Sequence, residues 1–221
     1  MPELNTAFAR PWTIRLPTLT RHMPARFVND FFRDGSIRIS SFESFRKHPD
    51  EARRDSQEGH VAMIVNTPSG PFNILGSNGQ EAYVLCASTV EKIDGVQEDG
   101  EVSAFRILDP TKFADVVSRQ IPGFVGGVEG LCAYRENTMI TKSDLRAIIP
   151  PASQADAEAW FHEQNHHTGK LVIDAFFMKH ISFSHESEYR FIWFADGSRK
   201  EYLDIKCPAA VQFCERIRAA A

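Results

Sequence analysis

Short apolar runs separated by turn-rich segments constrain this chain more than any other feature. HVAMIVN (60–66), PFNIL (71–75), AYVLCAST (82–89) and VSAFRIL (102–108) read as strands, divided by SNGQ and EKIDGVQEDG. SIRIS (36–40) alternates, with Ile37 and Ile39 on one face and Ser36, Arg38 and Ser40 on the other. WTIRL (12–16), ended by Pro17, LCAYRE (131–136), YRFIWFA (189–195) and EYLDI (201–205) complete the strand signals. Helical patterns fall between them. PARFVNDFFRD (24–34) puts Phe27, Val28, Phe31 and Phe32 on one face and stops at Gly35, and Asp109-Pro110 caps and opens TKFADVVSRQI. Further helices are expected over 153–167, over 170–180 and from Pro208, with IPGFVGGVEG as a glycine-rich loop. The order lacks a regular βαβ rhythm. It predicts an α+β fold with a mixed, mainly antiparallel sheet and flanking helices. No Pro/Gly/Ser-rich linker divides the sequence, so residues 1–221 are expected to form a single domain.

A net charge of −4 and a pI near 6.1 give no global drive toward nucleic acid or an anionic membrane, though a local basic groove stays open. The N-terminal MPELNTAFARPW lacks a signal-peptide core, and no stretch approaches membrane-spanning length. Cys86, Cys132, Cys207 and Cys214 are scattered without a C-x-x-C pair. Reduced, mostly buried thiols in a cytoplasmic protein are therefore expected.

The chemistry concentrates in ESEYRF. In extended geometry Glu186, Glu188 and Arg190 share one face, which continues into Ile192 and Phe194, while Ser187 and Tyr189 face away. Arg190 neutralises one carboxylate and leaves the other for acid/base work on a half-buried face. The structural alternative is a Glu188–Arg190 pair at a sheet edge. The aromatics Phe27, Phe31, Phe32, Phe176, Phe177, Phe191 and Trp193 read as packing residues.

Two further segments carry possible sites. HEQNH (162–166) matches H-E-x-x-H: His162 and His166 share a helical face suited to zinc, Glu163 stands as general base, and Glu186 follows as a third ligand. That spacing resembles the thermolysin-like zinc peptidases. Against it, the motif follows a polar helix and ends at His167, Thr168 and Gly169, where histidines suit a helix C-terminus without metal. The reading adopted expects no metal. Between Arg38 and Glu58, Arg53, Arg54, Asp55 and Glu58 crowd together. They form either an anion-binding rim braced by ion pairs to Arg38 or Arg53, or a solvated face.

The order of helix, GSIRISSFESFR, DSQEG, a strand ending Cys-x-Ser and a late ESEYR strand resembles a bacterial family of unknown function found near abortive-infection and phage-defence loci. More distantly, the chain is similar to ADP-ribosyltransferases of the Arg–Ser–Glu class. Arg15 in WTIRL, Ser88-Thr89 ending AYVLCAST, and Glu186-x-Glu188 occur in that order. It departs at Val90, where a third residue of the Ser-Thr-Ser triplet would stand, and Arg38 competes with Arg15. The resemblance implies NAD as substrate. Arg15 or Arg38 would hold its phosphates, with Ser40, Ser88, Thr89 and Arg190 supporting the nucleotide. Glu188 would stabilise the cationic sugar, and Glu186 would activate an acceptor whose identity stays open. Glu188→Gln is then expected to abolish turnover with little loss of stability. The competing classes are the zinc hydrolase and a non-catalytic module that binds a nucleotide or protein.

Overall fold

The computed structural model describes residues 17–47, 60–67, 70–77, 82–91, 102–136, 139–142, 176–196 and 200–217. In chain order the elements are β1 (Leu19–Pro24), α1 (Ala25–Asp34), β2 (Ser36–Ser41), α2 (Phe42–Arg46), β3 (His60–Thr67), β4 (Gly70–Ser77), β5 (Ala82–Ser88) and β6 (Val102–Ile107). There follow α3 (Pro110–Ser118), β7 (Phe124–Leu131), β8 (Ala133–Arg135), β9 (Met139–Lys142) and β10 (Met178–His180). A 3-10 helix (Ile181–Glu186), β11 (Glu188–Ala195), β12 (Tyr202–Lys206), α4 (Pro208–Val211) and β13 (Cys214–Arg216) complete the order. The α+β expectation holds. Every pairing in the main sheet is antiparallel, and parallel pairing joins only β3 to β9 and β8 to β10 among the described strands.

The main sheet runs β12-β2-β5-β1-β6-β13, with β11 against β5 and β7 against β11. It forks at β5. β2 pairs with β5 at Tyr83 and Val84, β1 pairs with it at Ser88, and the Arg21 guanidinium donates to the Cys86 carbonyl between them at 2.5 Å. β11 runs along β5 with Glu188 opposite Ser88, Arg190 opposite Cys86, Ile192 opposite Val84 and Phe194 opposite Ala82.

The two faces of β11 are both covered, which explains its continuous apolar run. On one face Tyr189, Phe191 and Trp193 join Leu85, Phe105 and Ile107 under α1, α3 and α4. There the Phe31 and Phe105 rings stack at 4.7 Å and Phe113 meets Phe191 at 5.4 Å. On the other, Ile192 and Phe194 pack with Ala82, Val84, Phe42, Phe176 and Phe177. Arg190 lies over this second cluster, with its guanidinium 5.8 Å from the Phe42 ring.

The terminal signals of two helices behave as their residues dictate. Gly35, at φ 74°, donates its N–H to Phe31 and ends α1; the Asp109 side chain accepts from Lys112 N at 3.1 Å, with Pro110 in the first turn of α3. Phe27 corrects the packing expectation: it is 45% exposed, because Val28 and Phe31 take the inward arc and leave Phe27 at its rim beneath Arg26.

Other expectations fail for identifiable reasons. FVGGVEGL is strand β7 rather than a loop, since its glycines let neighbours approach: a Cβ on Gly127 would lie 2.9 Å from the Ile192 carbonyl oxygen, and one on Gly130 would touch the Phe177 ring. The LCAYRE strand breaks at Cys132 into the end of β7 and β8. Met178–His180 is a strand, not the end of a helix, because it pairs in parallel with β8. The helix from Pro208 lasts one turn before β13 pairs with β6. Between Pro17 and α1 lies a full strand, β1, which sequence periodicity passed over. WTIRL and the helix expected over 153–167 lie outside the described residues. Among the described residues no helix is long and apolar enough to cross a membrane.

Candidate functional site

β11 begins on a charge that its sequence position would not by itself bury. Glu188 is 4% exposed and Arg190 1%. The Glu188 carboxylate accepts from Arg190 Nε at 2.8 Å through Oε1 and from Lys179 Nζ at 2.7 Å through Oε2. Lys179 also donates to Glu186 Oε2 at 2.5 Å, and Arg190 Nη1 donates to the Phe176 carbonyl at 2.6 Å. The result is an alternating chain of Glu186, Lys179, Glu188 and Arg190 whose formal charges cancel.

Burial pushes the Glu188 carboxyl up, but Arg190 and Lys179 together outweigh it and hold the group well below the ordinary carboxylate range. For Glu186 the balance reverses: burial raises it above its ordinary value, and Lys179 offsets only part. Its side chain is 26% exposed against 5% for that of Glu188. Two carboxylates on one ammonium thus differ in kind: an internal anion that stays charged, and a half-exposed group that takes a proton more readily. Beside them, burial drives the Cys86 thiol well above its usual range, with Glu188 adding to the effect. This is no activated nucleophile.

The two carboxylates meet for a reason the extended-strand argument did not contain. Glu186 ends a 3-10 helix, and Ser187, at φ 45° and ψ 49°, turns the chain into β11. What brings Glu186 and Glu188 together is the ammonium of Lys179 on β10. Tyr134, the cross-strand neighbour of Lys179, accepts the Glu188 backbone N–H at its hydroxyl oxygen at 2.7 Å, filling the gap left where the ladder to β7 stops. Burial raises the Tyr134 phenol to about 12.

Ser88 lies directly opposite Glu188 on the neighbouring strand. Its hydroxyl donates to the Glu186 carbonyl at 2.9 Å and accepts from Val90 N at 3.1 Å. Thr89 donates through both N and Oγ1 to the Ser187 carbonyl, at 2.9 and 3.2 Å. Both side chains tie the end of β5 to the turn that carries Glu186. Ser40 stands opposite Val84 and Tyr202, away from the carboxylates along the sheet. Arg38 makes a bidentate pair with Asp204 at 2.7 and 2.8 Å and lies 4.0 Å over the Tyr202 ring. The structure therefore brings Ser88, Glu186, Glu188 and Arg190 together, while Arg38 is engaged two strands away.

Arg15, the motif residues His162, Glu163 and His166, and Arg53, Arg54, Asp55 and Glu58 lie outside the described residues. Glu186, considered as a zinc ligand, is occupied by Lys179. Among the described residues no group of three or more His, Cys, Asp and Glu is arranged to hold a metal ion.

Lys179 and Tyr134 are the functional candidates that sequence reasoning missed. Neither stands in a motif: by sequence Lys179 falls at the end of the helix expected over 170–180, and Tyr134 in the LCAYRE strand. The apolar strand opening on Glu188 was the available signal, since a buried acid requires a nearby cation. The contacts of Glu188 argue against the expectation that Glu188→Gln costs little stability. The carboxylate joins two buried cations, and its charge holds them. No protein-family model, curated protein or solved structure matches this chain.

Proposed function

We propose that the Glu186–Glu188 pair is the centre of a glycosyl-transfer site acting on NAD, resembling that of ADP-ribosyltransferases. The supporting observation is that the two carboxylates around Lys179, next to Ser88, differ in exposure and in the direction of their pKa shifts. In this reaction the bond between the ribose C1′ and the nicotinamide nitrogen breaks. Its electron pair leaves with nicotinamide, and positive charge develops on the sugar. Glu188, fixed on a rigid strand and held anionic by Arg190 and Lys179, supplies a preorganised negative charge to that cation. Glu186 accepts the proton of the attacking hydroxyl as the new bond to C1′ forms. Lys179 favours the charged form of both groups, and Arg190, which pairs with Glu188, sets Glu188 apart as the one held anionic.

A second reading is favoured by one specific observation. Both Glu188 oxygens are engaged and the residue is 4% exposed, as suits a buried strut in a non-catalytic module. Incubating the purified chain with nicotinamide-labelled NAD separates the two. The transferase reading expects nicotinamide release by the wild type, loss of release in Glu188→Gln at a temperature where circular dichroism shows it folded, and a larger effect of Glu186→Gln on transfer than on background hydrolysis. Intact NAD with the wild type, or undiminished release by folded Glu188→Gln, would end that reading and leave the strut.

A further inference from the structure

The 3-10 helix Ile181–Glu186 packs against β8 and β10, and its last residue shares Lys179 with Glu188. It contributes no buried side chain. Apolar burial, limited to the half-buried Phe183, anchors it weakly, and a short set of ties to its neighbours holds it. Glu186 sits on the Lys179 ammonium, the Phe183 ring lies 4.8 Å from that same nitrogen, Ser88 Oγ donates to the Glu186 carbonyl, and Thr89 holds the Ser187 carbonyl. Ser187 is the one non-glycine residue with positive φ among the described residues, and it stands at the junction with β11. A left-handed serine is a strained joint, and an element held by polar ties opens at lower free energy than the sheet beside it.

The joint also divides the carboxylates. Glu188 belongs to β11 and stays with the sheet when the 3-10 helix moves, whereas Glu186 leaves with it. Lys179, 8% exposed, would then lose one of the two carboxylates described on it. Opening is favourable only if another anion replaces Glu186, and a phosphate oxygen makes the same charge-assisted bond to an ammonium as a carboxylate does.

We propose that Ile181–Glu186 is a strap hinged at Ser187, and that Glu186 occupies on Lys179 the place taken by an anionic group of the ligand when the strap swings out. The ligand class is a molecule bearing phosphate or diphosphate, the inference resting on the reading of Glu188 as the residue the ligand approaches. The strap reconciles a working carboxylate with its burial: the closed form guards Glu188, and the ligand's own phosphate opens it.

Hydrogen exchange read by mass spectrometry on the full chain tests this without any turnover, using inorganic pyrophosphate as the probe. Glu186→Gln removes one charge-assisted bond, so amides in 181–187 are expected to exchange about tenfold faster than in the wild type, while those in 191–195 stay protected. Pyrophosphate is expected to accelerate the same segment in the wild type. Unchanged exchange of 181–187 in Glu186→Gln, or acceleration of 191–195 in step with it, overturns the strap. No response of the wild type to pyrophosphate overturns the anion exchange. A wild type that opens with pyrophosphate yet leaves NAD intact keeps the strap and ends the NAD reading alone, so the two failures are distinguishable.

Discussion

Glu188→Gln is the most informative perturbation of stability, because the carboxylate links two buried cations. In the variant, the amide oxygen still accepts from Arg190 Nε, but the bond becomes one to a neutral group. The amide nitrogen faces Lys179 Nζ donor to donor. Charge-assisted hydrogen bonds contribute roughly 1.5–3 kcal/mol each, so one lost outright and one weakened amount to about 3 kcal/mol. That stands at the lower end of the about 3–5 kcal/mol seen when one partner of a buried pair is removed. The lower end is appropriate because Arg190 keeps the Phe176 carbonyl and Lys179 keeps Glu186. For a chain of this size the corresponding fall in Tm is roughly 6–12 °C. Urea unfolding at neutral pH measures it, with Arg38→Ala as the reference. The Arg38–Asp204 side chains are 55% and 59% exposed, and such a pair contributes about 1 kcal/mol or less. The sign with pH follows from the depressed Glu188 value. Its folded pKa lies below the ordinary 4.5, so its contribution is present above 4.5 and is lost as pH falls through the folded value. The gap between wild type and Glu188→Gln therefore narrows below pH 4.5. A midpoint shift no larger than that of Arg38→Ala, or a gap that widens in acid, would refute the reasoning.

Two further outcomes are expected. Gly35→Ala should destabilise by more than about 2 kcal/mol in urea unfolding, since a left-handed alanine alone costs about 1–2 kcal/mol. Its Cβ would also lie 2.3 Å from backbone atoms of Cys207 and Pro208, so a near-neutral result would show that α1 ends without Gly35's special geometry. Burial raises both Tyr134 and Tyr189 to about 12 from an ordinary 10.0, so their phenols stay neutral in the fold after an unfolded chain would ionise. Stability on their account is intact below pH 10 and falls as pH rises toward about 12. Ultraviolet titration of phenolate should show one late-ionising tyrosine fewer in Tyr134→Phe than in the wild type, and one fewer in Tyr189→Phe; curves for both variants that keep the full late phase would contradict this.

Local chemistry determined much of this fold directly. Pro24 and Gly35 bracket α1, Asp109-Pro110 starts α3, and the alternation in SIRIS settles which side of β2 faces Ile37 and Ile39 inward, because each signal acts over a few residues. The common face of Glu188, Arg190, Ile192 and Phe194 was legible for the same reason, since strand periodicity of two needs no partner. Partners decided the rest. FVGGVEGL is a strand because β11 pairs with it, although its glycines argue for a loop on their own. Met178–His180 is a strand because β8 lies alongside. The site divides along the same line. ESEYRF displayed its charges in sequence, whereas Lys179 and Tyr134 reach Glu188 across β10 and β8, from elements with no shared motif. Burial of a carboxylate, and the shift of its pKa with it, depends on which cation the tertiary fold brings within hydrogen-bond distance, and sequence spacing carries no record of that distance.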